Sequence, residues 1–424
     1  MRSYTLYYPV MTLALVYCLN YLRMKGFSSK VSFALSLAFV CYFLANSLLI
    51  NYPDGSDFGT FRDAGLRLIE GRNPYEDVSM VSPPTSLPLF ALFGLIDFNT
   101  SLAIWTSVNL ILSLLLIPMA WLCLFGRVQW FDAKSLTKDI APLTSFFVLS
   151  LPIFWTIGLG QLSIFEAFLL IAAFVLRDHG LQLGAGISLA LATVKPQTVI
   201  PCLLDFLRKD NLKTWVGLCL SLAALLVTMR SIPHFFEALR DEMRNIATLA
   251  APGNANDYSF EAPYYHTIIG LNYLFYCLGL RDRTLILILN IGSTLAIGTS
   301  LLIASRQKRW PFEASLSMIC IYALLFFYHR FHDGAILAIP LTYSYVMVLR
   351  STGPQRTVHI LPFLALLPVL VVHPKAVALF VNEIPDSLPL TRRLTEAFLL
   401  PYVTWSALIA MIFIWLGFRQ RSQN

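Results

Sequence analysis

Long apolar runs recur along the whole of this 424-residue chain, and they limit what it can fold into more than any other feature. A helix needs about 20 apolar residues to cross the hydrocarbon of a bilayer. The runs fall near residues 5–22, 31–51, 99–125, 141–157, 161–176, 182–194, 197–207, 212–230, 284–304, 312–328, 334–349, 357–373 and 396–418. Backbone amides in lipid must be satisfied within their own segment, so each run is expected to be helical. Only 13% of residues are charged, against roughly a quarter in soluble domains, and a larger soluble core cannot absorb runs this long. The expected fold class is all-α, a polytopic transmembrane bundle of about 11–13 spans. It would form a single integral membrane domain over residues 1–424.

The net charge of +7 is spread in short clusters between the runs. That distribution marks cytoplasmic loops rather than a nucleic-acid face. The clusters are Arg23, Lys25 and Lys30; Arg127, Lys134 and Lys138; Arg208, Lys209 and Lys213; Arg306, Lys308 and Arg309; Arg350 and Arg356; Arg419 and Arg421. Alternating spans satisfy them all if the apolar run 86–97 dips into the membrane without crossing. The runs 182–194 and 197–207 must then cross separately, meeting at Lys195-Pro196. The first apolar stretch lacks a small-residue cleavage site before Arg23 and is read as a retained span. The seven cysteines lie in apolar stretches without C-x-x-C spacing, so neither a disulfide framework nor a metal site is expected.

This topology gathers the conspicuous polar residues on the outer side. Residues 52–85 hold six acidic and three basic side chains. Within them Phe58, Phe61, Gly65 and Leu68 repeat at helical spacing opposite Asp63, Arg67 and Glu70, and Gly71 supplies a stop. The spacing predicts a short amphipathic helix on the membrane surface. Asp57 at its start is either an N-cap carboxylate or a general base for a hydroxyl nucleophile, and Asp54 is a second candidate. Lys195 lies in apolar surroundings, where an ionisable group is a functional candidate. It can hold a phosphate or snorkel to an interface. Gln161 can serve a site or bond between helices, and Glu166 follows it closely. In the cluster 328–333, Arg330 suits bidentate phosphate binding, and His329 and His332 can meet phosphate or sugar oxygens. A long outer loop, 231–283, adds Asn256, Asp257, Tyr258, Glu261, Tyr264, Tyr265 and His266.

The strings Asp57-Phe-Gly-Thr-Phe61, Gly71-Arg-Asn-Pro-Tyr75 and Pro83-Pro84 precede Gly160-Gln161, Gly184-x-Gly186 and Lys195-Pro196. In this order they resemble the polyprenol-phosphate-sugar-dependent glycosyltransferases of the GT-C fold, and most of all glycosyltransferase family 87. That family includes mycobacterial mannosyltransferases acting on phosphatidylinositol mannosides. The resemblance covers roughly residues 50–210. It departs from the family at Phe61 and Ser82, where tyrosine is usual.

The resemblance implies a catalytic loop at 52–85, the rest of the GT-C-like module at 86–230, and C-terminal helices at 284–424. It implies an inverting hexosyltransferase that moves a hexose such as mannose, with Asp57 as general base. Asp54, Asn73, Tyr75, Gln161, Lys195, His329, Arg330 and His332 become candidate substrate contacts. The donor would be a polyprenyl-phosphate sugar and the acceptor a lipid or glycan, with membrane lipids around both. No cofactor is implied, and a phosphate leaving group among basic residues can do without metal. For a bacterial chain the membrane is the plasma membrane, with the active site outside the cytoplasm. A polytopic transporter or lipid flippase is the competing reading, but transporters often carry internal repeats and the halves of this chain show none.

Overall fold

The structure, a computed structural model, describes residues 54–126, 140–207, 211–228, 232–306, 310–385 and 387–421. The expected spans 5–22 and 31–51 lie outside these residues. So do Arg23, Lys25, Lys30, Arg127, Lys134, Lys138, Arg208, Lys209, Lys308 and Arg309. The described residues are almost wholly helical, and they divide into two compact units. One comprises residues 54–119 and 155–265, the other 120–154 and 266–421.

The first unit opens with α1 (Ser56–Ile69), a 3-10 turn at Pro84–Ser86, α2 (Leu87–Gly94) and α3 (Phe98–Phe125), which runs on into the second. Phe61 stacks on Phe90 with ring centroids 4.9 Å apart, which fixes α1 against α2. At eight residues α2 is only about 12 Å long, too short to cross the hydrocarbon, so the chain turns at Asp97 and starts α3. Next along the chain are α4 (Ala141–Val148), which belongs to the second unit, and α5 (Leu151–Leu159), which returns to the first at Trp155; α6 (Ser163–Asp178), α7 (Gln182–Ala192), α8 (Pro196–Phe206), α9 (Leu212–Val227) and α10 (Ile232–Ala250) complete the first. The helices α6, α7 and α9 pack together in the first unit. Gly186 is where α7 meets α9: a Cβ there would lie 2.2 Å from the Thr214 carbonyl oxygen. The small-residue pair Gly184-x-Gly186 therefore has a packing cause.

The second unit contains β1 (Ile268–Ile269), α11 (Leu271–Cys277), α12 (Arg283–Arg306), α13 (Phe312–Phe326) and β2 (His329–Arg330). It continues with a 3-10 turn (Phe331–Leu337), α14 (Ala338–Arg350), α15 (Gly353–Val371), α16 (Pro374–Asn382), α17 (Pro389–Phe398) and α18 (Tyr402–Arg421). Its centre is α13, in which every residue from Ala314 to Phe326 is buried. A helix apolar on all sides needs neighbours on all sides, and α12, α14 and α18 supply them.

Among the described residues two helices, Phe98–Phe125 and Arg283–Ala304, are long and apolar enough to cross a membrane. The count reaches five if each of three bent pairs is one span. Only 11% of the apolar window of α12 is buried among the described residues, and an apolar surface of that extent marks a membrane or protein contact. These helices support an integral membrane protein. They are fewer than the expected spans because proline, glycine and polar residues divide the runs. Run 182–194 followed by 197–207 becomes two 11-residue helices, each about 17 Å long, so neither crosses alone. The expected outer loop 231–283 is itself partly helical, in α10 and α11.

Candidate active site

An aromatic cluster in the first unit sets the positions of the polar residues. Its buried members include Phe58, Phe61, Tyr75, Phe90, Trp105, Leu162, Val194 and Ala238. Asp57 directly precedes Phe58, Gln161 precedes Leu162, and Lys195 follows Val194. Each candidate is thus one residue away from a side chain whose burial fixes the backbone. Burying an aromatic or large aliphatic side chain contributes roughly 1.5–3 kcal/mol, so these anchors are not easily displaced.

Asp57 does not cap its helix. Gly55 occupies the N-cap with φ 56°, and the exposed Asp54 accepts from the Ser56 amide at 3.0 Å. Asp57, half-buried in the first turn, accepts a hydrogen bond from Gln161 Nε2. The start of α1 is docked on the turn before Gln161 by the bond from Gly55 N to the Gly158 carbonyl, 3.2 Å. Gly160 makes that approach possible. It has φ 70°, and a Cβ there would lie 2.5 Å from the Phe58 Cβ. Trp105 Nε1 donates to the Gly160 carbonyl at 2.9 Å and fixes the turn from below. The pair Gly160-Gln161 is therefore a fitted seat for the Asp57 carboxylate.

Lys195 meets the same turn. The residue before a proline is pushed out of the helical region, and Lys195, with φ −133° and ψ 82°, separates α7 from α8. Its side chain is 8% exposed, and Nζ donates to Ser163 Oγ at 2.8 Å. Gln161 and Ser163 thus hold a carboxylate and an ammonium on one three-residue stretch. Glu166 lies buried one turn further along α6. Ser163 was missed in the sequence because a serine opening a helix looks like any cap.

Two other candidates have structural commitments. Asn73 accepts from Tyr75 N at 3.0 Å and donates to Asp241 Oδ2 at 2.9 Å. Tyr75 is 1% exposed, and its hydroxyl donates to the Ser82 carbonyl at 2.7 Å. Both shape the loop between α1 and α2. Helix α10 closes over that loop: Asn245 Nδ2 lies 3.0–3.1 Å from the Tyr75, Asp77 and Met80 carbonyls. Beside it Glu242 is buried, which pushes its carboxyl up to about 7. The sequence reading missed this face. Its signal is the polar stripe Asp241, Glu242 and Asn245 following Ala238 at helical spacing.

The second unit carries its own polar cluster, organised by Asp333. This carboxylate, 8% exposed, accepts from the Arg330 backbone amide at 3.0 Å. It meets His329 Nδ1 at 3.1 Å and lies 3.7 Å from His332 Nε2. Arg330 Nε donates to the Tyr328 hydroxyl at 2.8 Å. His329 Nε2 is buried with no hydrogen-bond partner among the described residues. The strand pair of Ile268 with Arg330 and Ile269 with His329 holds the stretch extended. In the long loop, Asp257 accepts from Gly253 N at 2.8 Å and serves a turn. Among the described residues no group of three or more His, Cys, Asp or Glu is placed to hold a metal ion.

The model of glycosyltransferase family 87 matches residues 81–327, more than half of the chain. The matched stretch contains Gln161, Ser163, Lys195 and Glu242; Asp57 precedes it and His329 follows it. No curated protein matches the chain.

Proposed function

The chain belongs to glycosyltransferase family 87, and from this we propose that it moves a hexose from a polyprenyl-phosphate donor to a hydroxyl of a lipid or glycan acceptor outside the cytoplasm. The observation that carries the reading is the shared seat of Asp57 and Lys195 on Gln161–Ser163. Sugar transfer by single displacement needs a base for the incoming hydroxyl and a positive partner for the departing phosphate. Asp57 takes the hydroxyl proton, the acceptor oxygen bonds to the anomeric carbon, and the carbon–oxygen bond to the lipid phosphate breaks. The phosphate leaves with the electron pair, the anomeric centre inverts, and the fixed charge of Lys195 stabilises the negative oxygen. The Gln161 amide orients the Asp57 carboxylate, as a hydrogen bond to a catalytic base should.

In the second unit, His329 Nε2 and the guanidinium of Arg330 are the groups with chemistry suited to phosphate or sugar oxygens. The sugar is a hexose, with mannose the first to try, and the membrane is the bacterial plasma membrane. The test is incubation of the purified protein with radiolabelled polyprenyl-phosphate mannose or glucose and a membrane extract. Labelled product is expected with at least one donor. No transfer from any such donor would move the reading to transport.

A further inference from the structure

The second unit holds an apolar cavity between two bent pairs of helices. One pair turns by 78° from α15 into α16, and the other by 53° from α17 into α18. The space between them measures about 750 Å3, with Pro368, Val377, Phe380, Phe398, Leu399 and Ile409 among its walls. Its tyrosine and tryptophan are already engaged: the Tyr402 hydroxyl donates to the Val372 carbonyl, and Trp405 Nε1 donates to the Ala397 carbonyl at 3.1 Å. What remains as lining is hydrocarbon and one serine, Ser406. Such a space takes up an apolar chain rather than water.

The short limbs of the two pairs bring this cavity to the bilayer. Along α17 the exposed residues Leu390, Leu394 and Phe398 recur at every fourth position, and no residue of that helix is buried. A helix with such a face lies in the plane of a membrane. Positive charge collects where α16 begins. Lys375 is exposed there, directly before the wall residues Ala376 and Val377, and no ion pair or side-chain hydrogen bond engages it among the described residues. Arg330 lies on the same side: burial, then the charges of Lys375 and Arg330, hold His266 down to about 4. Glu383, the acid that follows α16, stands eight residues further on, about 12 Å along the axis. We propose that this cavity is the seat of an anionic phospholipid of the bilayer, with one acyl chain between the bent pairs and the phosphate facing Lys375. The walls select a chain and the cation selects a charge. Nothing in the walls reads a sugar, which separates this seat from the contacts assigned above to donor and acceptor.

Trp405, in the cavity wall, supplies the readout. The full chain is reconstituted into phosphatidylcholine vesicles containing rising fractions of phosphatidylglycerol with brominated acyl chains, which quench tryptophan at short range. The share of quenching that disappears in Trp405→Phe reports this seat. That share should reach half its maximum at about fivefold less brominated phosphatidylglycerol than brominated phosphatidylcholine, the preference that one basic side chain confers at a membrane surface. Lys375→Gln, a surface change, should keep the quenching and lose most of the preference. Val377→Phe, which fills the cavity, should remove the Trp405 share with either lipid. Unbrominated polyprenyl phosphate added at equal fraction should not restore the Trp405 emission. Restoration by it would give the cavity to the donor lipid and overturn the proposal. So would the absence of any Trp405 share, equal quenching by the two phospholipids, or an unchanged preference in Lys375→Gln. No sugar is transferred in this measurement, so its result stands whether or not the proposed function does.

Discussion

Asp57 and Gln161 are 104 residues apart, and Ser163 and Lys195 are 32 apart, yet they meet on one turn. His329, Arg330, His332 and Asp333 come instead from a single short stretch of chain, tied by one carboxylate. The first arrangement depends on tertiary packing: Phe58, Leu162 and Val194 must be buried together before their neighbours can meet. The second depends on local geometry, with the strand His329–Arg330 and the turn after it presenting both backbone and side chains to Asp333. A distributed site fails when its core fails. A local site fails when its hub is removed.

Substitutions can separate these behaviours. Lys195→Met keeps the length of the side chain and removes the charge. Sugar transfer should fall roughly 10²–10³-fold, the usual cost of losing one group that stabilises a developing anion. The melting temperature should not fall, because a buried charge has been removed. If both activity and melting temperature are unaffected, Lys195 is not the phosphate partner. Asp333→Ala should act differently, leaving His329 Nδ1 and the Arg330 amide without an acceptor. Unpaired buried groups cost about 1–3 kcal/mol each, so denaturant or thermal unfolding should shift strongly; a variant of wild-type stability would show that the cluster does not depend on its hub. Asn245→Ala should cost less, roughly 1–3 kcal/mol in all, and should speed proteolysis within residues 73–80. Unchanged cleavage there would mean that α10 does not hold the loop.

The smallest effect is a slope. Glu242 keeps its proton up to about pH 7 in the folded chain, while an ordinary glutamate gives it up near 4.5. Between these values the native state binds more protons than the unfolded state, so stability from this group is full below about 4.5 and is lost as pH rises through 7. Melting temperatures of Glu242→Gln should fall less steeply than wild type from pH 5 to 8. Parallel curves would show that this carboxyl does not titrate there.

The local features were legible in the sequence. The spacing of Phe58, Phe61 and Gly65 gave the helix that became α1, and Pro196 gave the break at which Lys195 stands. The cluster at 329–333 was visible as a polar string, although the role of Asp333 as its hub was not. Partners across long separations were not legible, because nothing near Gln161 in the chain names Asp57 and nothing near Ser163 names Lys195. Asn73 and Tyr75 were recognised as a motif, but only their bonds to Asp241 and Ser82 reveal a loop-shaping part. The sequence reads α10 as loop because it is not a long apolar run, although its apolar and polar residues recur at helical spacing. The span count was overdrawn for a related reason. Hydropathy registers an apolar run but not a 53° or 78° bend within one.

The central claim is that Asp57 removes the proton from the acceptor hydroxyl. Single-turnover transfer from a radiolabelled polyprenyl-phosphate sugar, with wild type compared with Asp57→Asn, tests it most directly. Asparagine retains the size of the side chain and an oxygen for Gln161, and it cannot take a proton. A loss of about 10²–10⁴-fold in the transfer step, at unchanged donor affinity and melting temperature, is the predicted result. Transfer by Asp57→Asn at the wild-type rate would contradict the account.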